Sequence, residues 1–135
     1  MLELSEYSHA IASLGLWSLL NLALAGISTR GRTPEGRCDC GKPKRDYADP
    51  VYRADRAFMN AVENSGPFVA ATIASILAGA APFWVNLLAL VFVVSRIAMV
   101  VVHIGTENQP MRSAAFVVGW LCMIGLAVMA VIAAF

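Results

Sequence analysis

The sequence predicts an all-α protein, an integral membrane bundle of four helices, and three observations carry that class. The 135 residues are 59% hydrophobic and only 14% charged, with a mean hydropathy of +0.67. A soluble domain carries about a quarter charged residues. The charges are also clustered, since eight of the ten Lys and Arg fall between Arg30 and Arg56. Finally, uncharged stretches of spanning length alternate with short segments rich in Gly and Pro. The net charge of +1 gives no reason to expect nucleic acid as a partner. The basic cluster is a topology signal instead.

The first span is expected over 8–29. Ala10 to Thr29 is uncharged, and twenty helical residues cover roughly 30 Å, about one hydrocarbon core. Glu3 and Glu6 stand where a cleavable signal would be basic, so the segment is expected to be retained. Asn21, its strongly polar interior residue, is expected to hydrogen-bond a neighbouring helix. Residues 30–50 form a loop containing Gly31, Pro34, Gly36, Gly41, Pro43 and Pro50 as breakers. Its basic residues place it in the cytoplasm, with both termini outside, in the inner membrane if the source is bacterial.

Asn64 to Ser95 carries no charge but is too short for two spans and a turn. Helix 2 is therefore expected to begin near Val51 and run to 78. Helix 3 is expected over 83–104, with Gly79–Pro82 as the turn. Pro110 can start a helix, and the last span is expected over 110–134.

Helix 2 opens with a polar stripe. Arg53, Arg56, Asn60, Glu63 and Asn64 recur every three or four residues, which puts them on one helical face. A solvated first turn accounts for Arg53 and Asp55. Asn60, Glu63 and Asn64 lie deeper, where polar groups face a bundle interior or line a site. Glu63 lies beyond Arg56 on the way out, and Arg96 lies ahead of Ile104. Both fall roughly 10–12 Å into the membrane, so the two opposite charges are expected to pair. A purely structural pair would explain both residues.

At the cytoplasmic end the layout brings Arg30, Arg53, Arg56, Asn60, Glu63, Asn64, Arg96, His103, Arg112 and Ser113 to one level. The mostly cationic set suits a small anion with carboxylates and a thiolate. Arg112 and Ser113 fall at the start of helix 4, where free N–H groups and the helix dipole favour negative charge. A cation there lowers a thiol pKa; snorkelling of Arg112 at a helix end is the bland alternative. Cys38-Asp-Cys40 lacks the further ligands of a zinc site, so no metal is expected and a reduced pair is. Cys122 reads as membrane packing.

Arg56-x3-Asn60-x2-Glu63-Asn64 followed by Pro67 resembles the second-helix signature of the MAPEG family, the membrane-associated proteins in eicosanoid and glutathione metabolism. Arg96-Ile, His103-x-Gly105 and Pro110-x-Arg112-Ser113 resemble the third-to-fourth helix stretch of its prostaglandin E synthases. The resemblance runs from about Asp49 to the C-terminus. It implies a four-helix bundle assembled as a homotrimer, with glutathione as co-substrate bound between subunits at the cytoplasmic end. It further implies that Arg30, Arg56, Asn60 and Glu63 contact glutathione, and that Arg112 stabilises the thiolate beside Ser113. His103 and Phe116 stand where the family often has tyrosine, which argues against the prostaglandin reaction.

The expected function is that of a membrane-bound glutathione transferase or peroxidase. Its hydrophobic small-molecule substrate would arrive from the membrane lipid. The alternatives are a non-catalytic lipid- or amphiphile-binding protein of the same fold, and a trimer whose polar cluster only holds helices together.

Overall fold

A computed structural model describes residues 3–135. Met1 and Leu2, the start of the stretch expected outside the cytoplasm, lie outside the described residues. A single 3-10 turn, Leu4–Tyr7, leads into α1 (Ser8–Thr29). After the loop come α2 (Pro50–Leu77), α3 (Pro82–Gly105) and α4 (Gln109–Ala133). The described residues contain no β-strand beyond one isolated bridge between Arg37 and Pro43. α3 packs against all three other helices, and α2 and α3 together separate α1 from α4.

Local chemistry sets the helix ends. Asp49 caps α2 by accepting from the Val51 N–H at 2.8 Å, with Pro50 in the first turn, where its missing N–H costs nothing. α2 ends in a Schellman turn: Gly79 N–H donates to Ile76 and Ala80 N–H to Ser75, each at 3.0 Å. Gly79 takes φ +70° there, a conformation that glycine reaches without a Cβ clash. Asn108 caps α4 through Met111 N–H at 3.0 Å. At the opposite end of the bundle, Asn86 of α3 pins the start of α1. Its side chain accepts from Ala10 N–H at 2.8 Å and donates to the Glu6 carbonyl at 2.6 Å, satisfying a donor that the helix leaves open.

α1 with its lead-in, α3 and α4 are each long and apolar enough to cross a bilayer. α2 falls short by composition because Arg53, Asp55, Arg56 and Glu63 occupy its first half. The surface distribution agrees with a lipid environment. Leu19, Leu22, Leu77, Phe83, Val101 and Ile132 are exposed, whereas Ser13, Ser28, Thr72, Ser75 and Arg96 are buried. The chain is thus an all-α integral membrane bundle. Its centre is aromatic. Phe68 of α2 and Phe92 of α3 stack at 3.9 Å, and Trp17 of α1 meets Phe92 edge-on at 5.0 Å. Trp17 Nε1 donates to Ser65 Oγ at 3.0 Å, and Ser65 Oγ lies 3.4 Å from Asn21 Oδ1. Asn21 therefore reaches a neighbouring helix, as its polarity implies.

Two local expectations need correction. Cys38 and Cys40 are joined by a disulfide instead of forming a reduced pair. The reason is a tight turn: Gly41 N–H donates to Cys38 O and Cys38 N–H to Lys42 O, both at 2.9 Å. The turn brings the two Cα atoms to 5.2 Å, within the range a disulfide spans. Cys122 remains free and buried. Second, Arg53 and Asp55 do not form a solvated first turn. Both are buried, because the loop folds back over them. Asp55 pairs with Arg32 at 2.8 Å and with Lys42 at 3.3 Å. Arg53 donates to the carbonyls of Tyr47 and Ala48 at 2.8 and 2.9 Å, and to that of Ile104 at 3.3 Å.

The helix register depends on Gly119 of α4. A Cβ there would lie 2.7 Å from Ser95 Oγ and 2.8 Å from Arg96 Nε. Gly119→Ala is therefore expected to destabilise the bundle by about 1–3 kcal/mol through overpacking. Gly125→Ala should cost less, because its Cβ would meet only the flexible end of Leu88 at 3.0 Å. Thermal unfolding of both variants in detergent measures the difference.

Candidate functional site

The start of α2, the end of α3 and the start of α4 meet at one end of the bundle, roofed by the α1–α2 loop. Between them lies a cavity of about 230 Å³ lined by Arg56, Asn60, Met99, His103, Arg112, Ser113 and Phe116. Helical spacing explains the set. Arg56 and Asn60 are one turn apart on α2, Met99 and His103 one turn apart on α3, and Arg112 and Phe116 one turn apart on α4. A larger and mostly apolar groove, about 690 Å³, adjoins it between α2 and α4. Asn60 and Phe116 line both spaces. Glu63, Asn64 and Pro67 line the near part of the groove, and Ala70, Ala74, Trp120 and Ile124 lie along it.

Arg96 is sealed behind the cavity wall. It is fully buried, and its guanidinium donates to Asn60 Oδ1 and Asn64 Oδ1, both at 3.3 Å. The rings of Phe92 and Phe116 cover it at 5.1 and 4.6 Å, close enough for cation–π attraction. Its Nε has no hydrogen-bond partner among the described residues. The expected Glu63–Arg96 pair does not form. Glu63 is exposed on the groove side and makes no hydrogen bond or ion pair among the described residues. Asn60 and Asn64, on either side of Glu63 in α2, meet Arg96, whereas Glu63 faces the groove. Neutral amide oxygens from Asn60 and Asn64 take the cation instead.

The sequence-derived set thus divides. Arg56, Asn60, His103, Arg112 and Ser113 share the cavity. Glu63 and Asn64 belong to the adjoining groove, and Arg96 backs the wall. Arg53 acts as a clasp between the loop and the end of α3, with Glu107 at 3.9 Å from its guanidinium. Arg30 is exposed beyond the end of α1 and lines none of these spaces within one chain.

Tyr47 was not legible as a site residue. Its hydroxyl accepts from Arg112 Nη1 and lies 3.2 Å from His103 Nδ1. The signal available in the sequence was weak: one aromatic residue in a charged loop, shortly before the Asp49-Pro50 helix start.

Fold and site together define a membrane helical bundle with an arginine-lined cavity at one end, beside an apolar groove that shares two of its lining residues. The comparison with family models agrees: the MAPEG family model matches residues 7–132. The chain belongs to that family of membrane proteins of glutathione and eicosanoid metabolism. A search of curated proteins gave no match.

The Arg96 arrangement makes unequal demands on two neighbouring residues. Asn64→Ala removes an acceptor from a buried cation and is expected to cost about 1–3 kcal/mol. Glu63→Gln changes an exposed, unpaired side chain and should stay within about 0.5 kcal/mol. Denaturant unfolding in micelles compares them; a larger loss for Glu63→Gln would contradict this geometry.

Proposed function

We propose that the protein is a glutathione-dependent transferase or peroxidase that joins or reduces hydrophobic electrophiles at the membrane surface. One observation carries the reading: the cationic cavity and the apolar groove share a wall at Asn60 and Phe116. A polar thiol held in the first space is thereby brought against an apolar compound in the second. Conjugation then needs little beyond an ionised sulfur and close approach.

The cavity residues divide the work. Arg56 and His103 offer donors to the carboxylates of the tripeptide, and Asn60 offers an amide. Arg112 faces the thiolate, with Ser113 assisting through a neutral hydrogen bond. Arg112 closes the first turn of α4 and Ser113 follows it, near the positive end of the helix dipole, which adds to the attraction for negative charge. Arg53 and Arg96 hold the walls. Assembly as a homotrimer would give Arg30, Glu63 and Asn64 a role at the boundary with a neighbouring copy. We place the 30–50 loop in the cytoplasm and both termini outside, on the strength of the loop's six Lys and Arg.

The alternative, binding of a lipid or amphiphile without turnover, draws on the same groove. Conjugation of a generic aromatic halide by detergent-purified protein separates the two. Turnover that requires glutathione supports the enzyme, and binding without turnover supports the alternative.

The mechanism makes Arg112 the dominant contributor, because it brings a full charge to a partly desolvated site. Arg112→Ala is expected to raise the pH at which bound glutathione ionises and to lower turnover by roughly ten- to a thousandfold. The lower bound corresponds to one pKa unit, about 1.4 kcal/mol. Ser113→Ala should do less, since neutral hydrogen bonds are about half as strong as charged ones. Thiolate absorbance across pH reads the effect directly, and identical titrations of parent and Arg112→Ala would overturn the mechanism. For topology, Cys38 and Cys40 should, after reduction, label from the cytoplasmic side of intact membranes. Labelling from outside by an impermeant reagent would reverse the orientation.

A further inference from the structure

Arg112 needs two properties to act on an anion: a fixed direction and an uncancelled charge. An arginine at the first turn of a helix has many rotamers and loses much entropy when fixed. A carboxylate partner would fix it but would also neutralise it. Among the described residues, no carboxylate pairs with Arg112. Its Nη1 donates to the Tyr47 hydroxyl, and its guanidinium carbon lies 5.7 Å from the centre of the Tyr47 ring. Both contacts are to a neutral group.

Tyr47 is itself anchored on several sides. Arg53 of α2 donates to its carbonyl at 2.8 Å. Its ring meets His103 and Tyr52 edge-on, at 5.7 and 6.0 Å between centres. Its hydroxyl lies 3.2 Å from His103 Nδ1. Tyr47 is only half-buried and stands behind the cavity, whose lining includes Arg112 and His103. The phenol therefore touches two cavity residues without occupying the space between them.

We propose that Tyr47 is a positioning residue of the anion site: its hydroxyl, held between His103 and Arg112, fixes the guanidinium of Arg112 towards the cavity while leaving its charge intact for the sulfur of the bound thiol. A phenol suits the task because its oxygen can accept from Arg112 while its O–H donates to His103, and it is not a carboxylate. The hydroxyl also ties the α1–α2 loop to α3 and α4. The proposal rests on the thiol-binding reading and adds to it a residue that acts through Arg112.

The test uses two probes that differ at the sulfur. Glutathione sulfonate carries an anion there, and S-methylglutathione carries no charge. The detergent-purified parent should prefer the sulfonate, and calorimetry gives the ratio of affinities. Tyr47→Phe keeps the ring and loses the hydroxyl. It is expected to lower that ratio about three- to tenfold, the range of one lost hydrogen bond, while S-methylglutathione binds as before. Unchanged S-methylglutathione affinity also reports an intact fold. Arg112→Ala should abolish most of the preference. Adding Tyr47→Phe to Arg112→Ala should then change nothing further, because coupled residues are non-additive.

A preference in Tyr47→Phe equal to the parent's would overturn the proposal and leave the thiol-binding reading standing. So would a further loss in the double variant, which would make Tyr47 independent of Arg112. A parent that binds neither probe would overturn the thiol-binding reading, and the proposal with it.

Discussion

A fully buried arginine in the middle of an apolar helix sets the terms for the rest of this bundle. Arg96 cannot reach water, and an uncompensated charge at membrane depth is costly. The protein answers with two amide oxygens from α2, a sulfur from Met99 at 3.6 Å, and two aromatic faces. These compensators come from three helices, so they fix the rotation of α2, α3 and α4 about their axes. Gly119 is the gap in α4 through which the guanidinium fits. Phe116 covers Arg96 on one side and walls the cavity on the other. The same ring therefore serves packing and site.

The absence of a carboxylate from the Arg96 shell has an electrostatic consequence. Arg96, Arg56, Arg112 and His103 converge on one end of the bundle, and among the described residues none of them is ion-paired. Glu63 faces the adjoining groove, and two other carboxylates at this end are used elsewhere. Asp55 is taken by Arg32 and Lys42, and Glu107 stands by Arg53. The loop thus neutralises Asp55 outside the cavity. What remains is a cationic concavity in low-dielectric surroundings, where an anion is attracted more strongly than at an open surface.

Much of the fold was legible, because a membrane leaves few options. Backbone groups must be satisfied within each span, so long apolar stretches read as helices, and Gly79, Pro82 and Pro110 marked the breaks. The shared cavity was partly legible for the same reason: three-and-four spacing placed Arg56 with Asn60 on one face, and helix direction brought the ends of α3 and α4 to that level. Depth could be read from rise per residue, but rotation could not. That is why rise per residue predicts a Glu63–Arg96 pair, whereas the structure turns Glu63 to the groove and gives Arg96 to Asn60 and Asn64. The loop was the least legible part. Its breakers and charges show that it is not helix, yet they do not show that Gly41 turns it, or that it buries Asp55 and brings Tyr47 to Arg112. Those contacts join residues far apart in sequence through irregular backbone, which has no period to read.

The two spaces at the helix ends can be weighed by what each would do alone. A cationic cavity without the groove would bind small polar anions and bring no apolar partner near them. A groove without the cavity would hold a lipid tail, as exposed apolar surface in a bilayer does, with no chemistry attached. Their common wall is what changes this. Asn60 bonds Arg96 behind it and faces both spaces, and Phe116 covers Arg96 while separating polar from apolar contents. The buried charge that fixes the helix register therefore also fixes the distance between the two spaces. A change that relaxed the Arg96 shell would move the wall before it touched Arg112, so the shape of both spaces depends on residues that line neither.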